Sequence, residues 1–350
     1  MYKFIIFNRI GMKYIVEIQI FLLLVLLLVI YMKQEKAKEP VIVTNVFGTM
    51  YYLYDNDERY CKYIATHGIK KSCETIKNVY YVNSNELDNF VVPDSKFVLV
   101  TGNSINDVPY HFKEETTVDR EDENKIENKK HAEVLRKKSN EILESPNCVA
   151  WFSQNLTKTN HKLHHIPIGL DYHTIGTGKE EMRWWGEKET PVKQEEFLHT
   201  LERSPFYARE MKIYCNYKSN MTGIYKSKDR KESLEQTRAS LLYIEDGKMT
   251  RRETWTNMTK YAFVLSPRGD GLDCHRTWEA LILGCIPIVK STPLDELYEG
   301  LPVLIVNSWT DINEELLNNT IGEFKNRSFN YKKLELEYYM GKIKEQAKKC

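Results

Sequence analysis

Short runs of β-branched and aromatic residues, separated by polar or helix-periodic segments, recur along most of the chain. PVIVTNVF (40–47), KNVYYVNS (77–84) and SKFVLVTGNS (95–104) read as strands on that composition, the last ending in a Gly-Asn turn. A helix is predicted over 131–144, and NCVAWFSQN (147–155) and KLHHIPIG (162–169) restore the strand pattern after it. The segment 111–130 carries charges of both signs and few apolar residues, so it reads as an exposed excursion. Weakly apolar 174–201 follows, with Pro191 opening a helix that runs to Leu201. The alternation then resumes, with strands at 211–217, 261–266, 285–290 and 301–309, helices over 229–242 and 277–283, and two closing helical segments. Strands alternating with helices define an α/β protein built on doubly wound parallel sheets. The expected organisation is a first α/β domain over 41–173, a crossover region over 174–204 and a second α/β domain over 205–345.

The N-terminal segment breaks this pattern. YIVEIQIFLLLVLLLVIYM (14–32) is long and apolar enough to span a bilayer as a helix, which leaves a tail at 1–13 and a charged stalk at 33–40. Lysine and arginine flank it on both sides, so basic residues alone set no strong orientation. A cleaved signal sequence is the competing reading, although no small-x-small site stands cleanly after the apolar run. Five sequons, at Asn155, Asn220, Asn257, Asn318 and Asn326, favour a lumenal body behind a type II anchor. The seven cysteines show no CxxC spacing, which argues against zinc and iron-sulfur sites. In an oxidising lumen Cys61 and Cys73 are candidates for a disulfide, and the pairing is otherwise open.

Charge narrows the partners. With 50 basic and 49 acidic residues the net charge is +1, so no global field draws the chain to nucleic acid. The chemistry concentrates in GDGLDCHRTWEALILGCIPIV (269–289). A turn through Arg268, Gly269, Asp270 and Gly271 at the end of a parallel strand can curl around an anion, and a helix beginning near His275 offers unpaired N–H groups to phosphate. Arg268 and Arg276 would neutralise a diphosphate, a task suited to the planar guanidinium. Glu279, three residues beyond Arg276, would accept from the vicinal hydroxyls of a ribose, with an Arg276–Glu279 ion pair as the plainer alternative. Asp273 and His275 lie in the same loop and are candidate sugar contacts, and Trp184, Trp185 and Trp278 are candidate stacking surfaces. Cys285 reads as a small buried filler. Neither a GxxxxGK loop nor a GxGxxG turn is present, which counts against kinase and dehydrogenase readings.

The stretch 263–312 resembles the nucleotide-sugar-binding half of the exostosin-like glycosyltransferases. The Pro-Arg-Gly turn, the arginine three residues before Glu-Ala, Gly-Cys-Ile-Pro-Ile, and a later Leu-Pro followed by Trp carry the likeness. TGNS, WFSQN and IPIGLDYHT in the first half resemble the acceptor half more faintly. The resemblance implies a GT-B-like fold of two facing α/β domains behind a single N-terminal membrane helix, in the Golgi or endoplasmic reticulum. It also implies inverting transfer from a nucleotide-sugar donor, UDP-sugars among them, to a glycan or glycoprotein acceptor. No further cofactor and no metal are implied, and Asp55-Asn56-Asp57, of DxD form, reads as a surface turn. The general base is expected from Asp171 or His173, with Asp107 as a further candidate. The alternative is a catalytically inactive exostosin-like binding or scaffold protein.

Overall fold

The strand runs assemble into parallel sheets whose positions follow from where apolar residues alternate. The computed structural model describes residues 42–44, 50–52, 57–103, 108–109, 125–178, 180–217, 228–269 and 271–350. It divides into units 1–53 and 54–350. In the first, β1 (Ile42–Thr44) pairs antiparallel with β2 (Met50–Tyr52). The expected membrane segment 14–32 lies outside the described residues, among which no helix is long and apolar enough to cross a membrane.

The second unit holds two lobes. The first begins with α1 (Thr66–Cys73) and β3 (Val79–Asn83), then β4 (Phe97–Gly102), α2 (Lys125–Glu144), β5 (Cys148–Ser153) and β6 (Leu163–His165). Its four strands lie in the order β3-β4-β5-β6, all parallel. Both faces are buried, as parallel sheets require. Phe97, Leu99 and Trp151 point to the face that packs with Leu135 and Ile142 of α2. Val98, Val100 and Phe152 point to the opposite face.

Two short helices, α3 (His173–Gly176) and α4 (Pro191–Thr200), lead to the second lobe. Thr190 caps α4 through its side chain and Pro191 occupies the first turn, where a missing N–H costs nothing. The second lobe runs β7 (Glu210–Cys215), α5 (Asp229–Gln236), β8 (Leu242–Ile244), α6 (Arg251–Met258), β9 (Tyr261–Leu265), α7 (His275–Ile282), β10 (Ile286–Lys290), α8 (Asp295–Tyr298), β11 (Leu304–Val306), α9 (Glu314–Lys325) and α10 (Leu336–Ala347). Its parallel sheet has the order β11-β10-β9-β7-β8. After β8 the chain returns past β7 to place β9 on its other side, so the winding reverses between β7 and β9. In open α/β sheets, ligands bind outside the carboxyl ends of the strands at such a reversal.

The helix expected over 229–242 is shorter. It ends at Gln236, where Thr237 turns extended, and Leu242–Ile244 becomes the edge strand β8. The turn after α7 follows the expected pattern. Gly284 takes φ +76°, and the N–H groups of Gly284 and Cys285 reach back to Leu281 and Ala280 in a Schellman closure.

The last helix crosses back. α10 packs on α1, β4 and β5 of the first lobe, burying Leu336, Tyr339, Met340 and Ile343. Its entry is fixed by Ile64 N–H to Leu334 O at 2.9 Å and Leu336 N–H to Lys62 O at 2.9 Å. One apolar core therefore runs from Val100 and Phe152 through Ile343 to Tyr214, Trp255 and Trp278.

Two expectations need correction. Cys61 and Cys73 are both buried free thiols, not a disulfide; burial raises Cys61 well above its ordinary value and pushes Cys73 up to about 12. Asn155 is only 1% exposed, because its carboxamide oxygen accepts the Asp273 N–H at 2.9 Å, so that sequon is closed to modification in the folded chain. Asn257 is half-buried, Asn318 and Asn326 are exposed, and Asn220 lies outside the described residues.

Because Ile343 is fully buried in the shared core, Ile343→Ala is expected to cost about 2–5 kcal/mol. Urea denaturation measures this; a loss well under ~1 kcal/mol would mean that α10 is an appendage to the first lobe.

Candidate functional site

The winding reversal puts the loop after β9 beside the end of β7. Arg276, in the first turn of α7, donates its Nε–H to Asn216 Oδ1 at 3.1 Å, and its guanidinium lies 4.7 Å from the Tyr217 ring centroid. Both partners immediately follow β7. Ser266 and Thr277 share a buried hydroxyl bond of 2.8 Å, which ties the end of β9 to α7. Arg268 and Lys290 line a pocket here with Asp229, Leu272 and Tyr298. Asp229 is buried and accepts from the Arg268 N–H at 3.0 Å and the Trp309 Nε1–H at 2.9 Å, with Lys290 Nζ 3.4 Å away. Cys274 caps α7 without a side-chain hydrogen bond to the first turn.

Arg230 joins this group, and sequence reading missed it. A Cβ on Gly269 would lie 2.8 Å from Arg230 Nη2, so the end of this guanidinium comes up against the turn. Gly271 lies half-buried in the same loop, and Asp270 falls outside the described residues.

Asp273 has a different position from the sugar contact expected of it. It is 4% exposed, and its carboxylate accepts from Ile168 N–H at 2.8 Å, Cys274 N–H at 2.9 Å, Trp278 Nε1–H at 2.9 Å and Tyr298 O–H at 3.4 Å. Burial raises its pKa; the donors of Ile168, Trp278 and Cys274 oppose the shift without reversing it. With its oxygens engaged from both lobes, Asp273 holds the seam and is not left for a ligand. Trp278 is fully buried and belongs to the core, whereas Trp184 is exposed and Trp185 half-buried.

Glu279 is likewise turned inward. It is 6% exposed and pairs with Arg251 at 3.4 Å rather than with Arg276, which turns its carboxylate away from the ribose contact expected of it. Arg251, on α6, is the second residue that sequence reading missed. At 2% exposure it donates to the Asp171 carboxylate at 3.0 Å and to the Asp171 carbonyl, and it lies over the rings of Trp185 and Trp255. Its helix looks polar and carries no periodic signal of burial.

Around Arg251 the structure gathers the two residues expected as bases. Asp171 accepts the Thr174 N–H at 2.9 Å and lies 3.1 Å from His173 Nδ1. Burial pushes the Asp171 carboxyl up, but Arg251, His275 and His173 outweigh it and hold the group well below the usual carboxylate range. His173 Nδ1 faces this ionised carboxylate, a contact that favours the tautomer protonated at Nδ1 and leaves Nε2 as the basic nitrogen. Burial lowers the His173 pKa, Asp171 opposes this, and the neighbouring His275 and His67 add to it. The His275 ring sits 5.9 Å from that of His173, while His275 Nδ1 is 2.7 Å from Gly169 O. Asp107 lies outside the described residues. So do Asp55 and Asn56, and Asp57 caps a short turn and pairs with Arg59.

The first turn of α7 therefore serves two places at once: His275 lies against the Asp171–His173 pair, and Arg276 reaches the end of β7. Compared with protein-family models and with curated proteins, the chain matches none.

Asp273→Ala is expected to destabilise the fold by ~3 kcal/mol or more, given about 1–3 kcal/mol for each buried donor left without a partner. Asp273→Asn, which keeps part of the acceptor set, should cost less; a loss well under ~1 kcal/mol for Asp273→Ala in urea unfolding would deny the carboxylate its role at the seam. Arg251→Ala strands Asp171 and Glu279 as buried charges and is expected to cost about 3–5 kcal/mol. Adding Glu279→Gln to Arg251→Ala should recover part of that loss, and simple additivity of the two changes would contradict the pairing.

Proposed function

We propose that the chain is an inverting glycosyltransferase of the exostosin-like kind, its two lobes in a GT-B-like arrangement, moving sugar from a nucleotide-sugar donor to a glycan or glycoprotein acceptor. The observation that carries this reading is the first turn of α7, where His275 lies against a carboxylate–histidine pair and the neighbouring Arg276 brings its positive charge to the end of β7. Inverting transfer needs those two features: a base for the acceptor hydroxyl and positive charge for the leaving diphosphate.

In this reading His173 Nε2 takes the acceptor proton, and Asp171 holds the ring in the required tautomer. The acceptor oxygen bonds to the anomeric carbon from the face opposite the donor's diphosphate. The bond to the diphosphate oxygen breaks, and its electron pair stays on the departing nucleotide. Arg268 and Arg276, with the amino end of α7, stabilise that charge. Glu279 and Asp273 act through position alone, the first on Arg251 and the second on the seam. The anchor at 14–32, type II topology and a Golgi or endoplasmic reticulum address belong to the same proposal, and the exposure of Asn318 and Asn326 is compatible with a lumenal body.

A catalytically inactive binding protein is the second reading. What favours it is that two of the acids expected at the donor, Asp273 and Glu279, are consumed by internal contacts.

The test is a screen of the body, residues 40–350, against UDP- and GDP-sugars with glycan acceptors, reading released nucleotide and product mass. Arg276→Ala is expected to reduce donor use by about 10²-fold or more with the fold retained, comparable to losing one charge-stabilising donor. His173→Ala should reduce turnover by about 10²- to 10⁴-fold while nucleotide binding persists. Nucleotide binding without release across the acceptor set would favour the inactive reading.

A further inference from the structure

Beside His173 stand two further groups, Glu58 and His67, that the proposed transfer does not use. One ligand atom from each of Glu58, His67 and His173 lies within 4.8 Å of the other two. One edge, Glu58 Oε1 to His67 Nδ1, is 3.4 Å, close to the ~3.3 Å edge of a tetrahedron with metal–ligand bonds of about 2.0–2.1 Å. The His67 and His173 rings have centroids 4.9 Å apart.

Two of the three groups are already aimed by second partners. The Glu58 carboxylate is buried, and its Oε2 accepts the Gly68 N–H at 3.0 Å, which leaves Oε1 turned to His67. His173 Nδ1 lies 3.1 Å from the Asp171 carboxylate, which leaves Nε2 as its free ring nitrogen. A carboxylate on the remote ring nitrogen is the arrangement that fixes orientation and raises basicity in metal-binding histidines. The side chains of His67 and His173 are 35% and 37% exposed, so an ion has an entry path from solvent.

We propose that Glu58, His67 and His173 form a binding site for a divalent transition metal, of zinc-like size and preference, with one position left open to solvent or ligand. Two imidazoles and one carboxylate select Zn²⁺, Co²⁺ or Ni²⁺ over Mg²⁺ and Ca²⁺, which take oxygen donors. Glu58 offsets part of the ion's charge, and Asp171, neutralised by Arg251, supports His173 from behind. This departs from the metal-free site expected from the sequence, where Glu58 and His67 carried no motif. A bound ion takes the Nε2 lone pair of His173, so metal occupancy and the proton transfer proposed above exclude each other. That last consequence rests on the transferase reading; the binding site does not.

The experiment is a Co²⁺ titration of the full chain, reading visible d–d absorption, with His67→Ala and Glu58→Gln alongside. A single equivalent is expected to saturate the bands, Zn²⁺ to bleach them and Mg²⁺ to leave them unchanged. Each variant should bind Co²⁺ at least about tenfold more weakly. His67→Ala removes a partly exposed ring, so unchanged circular dichroism is expected to show that the weakening is not unfolding; Glu58→Gln keeps an acceptor for Gly68 and provides an independent check. Absence of d–d bands, full-strength bands in both variants, or a thiolate-to-cobalt charge-transfer band placing the ion on cysteine would each overturn the proposal. No nucleotide sugar enters this titration, so its failure leaves the transferase reading standing, and a failed donor screen leaves the metal site standing.

Discussion

The Asp273 carboxylate lies where the two lobes meet, and the seam is arranged around it. An ionisable group taken fully out of water is costly unless donors surround it. Here they come from the backbone of Ile168 in the first lobe and from Cys274, Trp278 and Tyr298 in the second. The Asp273 N–H completes the link by donating to Asn155, which follows β5. Apolar packing would hold the lobes together in many registers. Hydrogen bonds to one buried carboxylate hold them in one, and so fix where α7 starts relative to Gly169, Asp171 and His173.

Arg251 does similar work a short distance away. It brings two carboxylates from different lobes onto one guanidinium. The ionised Asp171 then faces His173 Nδ1 and favours the proton on that nitrogen. The chemistry proposed for the imidazole thus depends on a cation that never reaches the solvent, two residues removed from the reacting nitrogen.

The strands were readable because parallel strands buried on both faces become dense β-branched runs, as in FVLV (97–100) and IPIV (286–289). Helix α7 and its glycine exit were readable for local reasons too. What failed was partnership over long separations. Asp273 and Glu279 looked like ligand groups because they sit beside arginines in the chain, yet their partners, Ile168 and Arg251, lie far from them in sequence. Arg251 itself hides in RRETWTNM (251–258), where neighbouring Arg252 is exposed. No local pattern distinguishes the buried arginine from the solvated one. The reversal between β7 and β9 was legible only as a class of fold, since strand order is a property of the sheet.

The return of α10 to the first lobe has a consequence for how the chain is made. One face of the first sheet is closed by residues that follow every strand of the second lobe, so a nascent first lobe cannot complete its core as it is synthesised. Until α10 arrives, Val98, Val100 and Phe152 lack its cover. Closing contacts of such sequence separation carries an entropic cost and slows folding. The first lobe is therefore the part of this chain most in need of protection during synthesis, although its strands are made first.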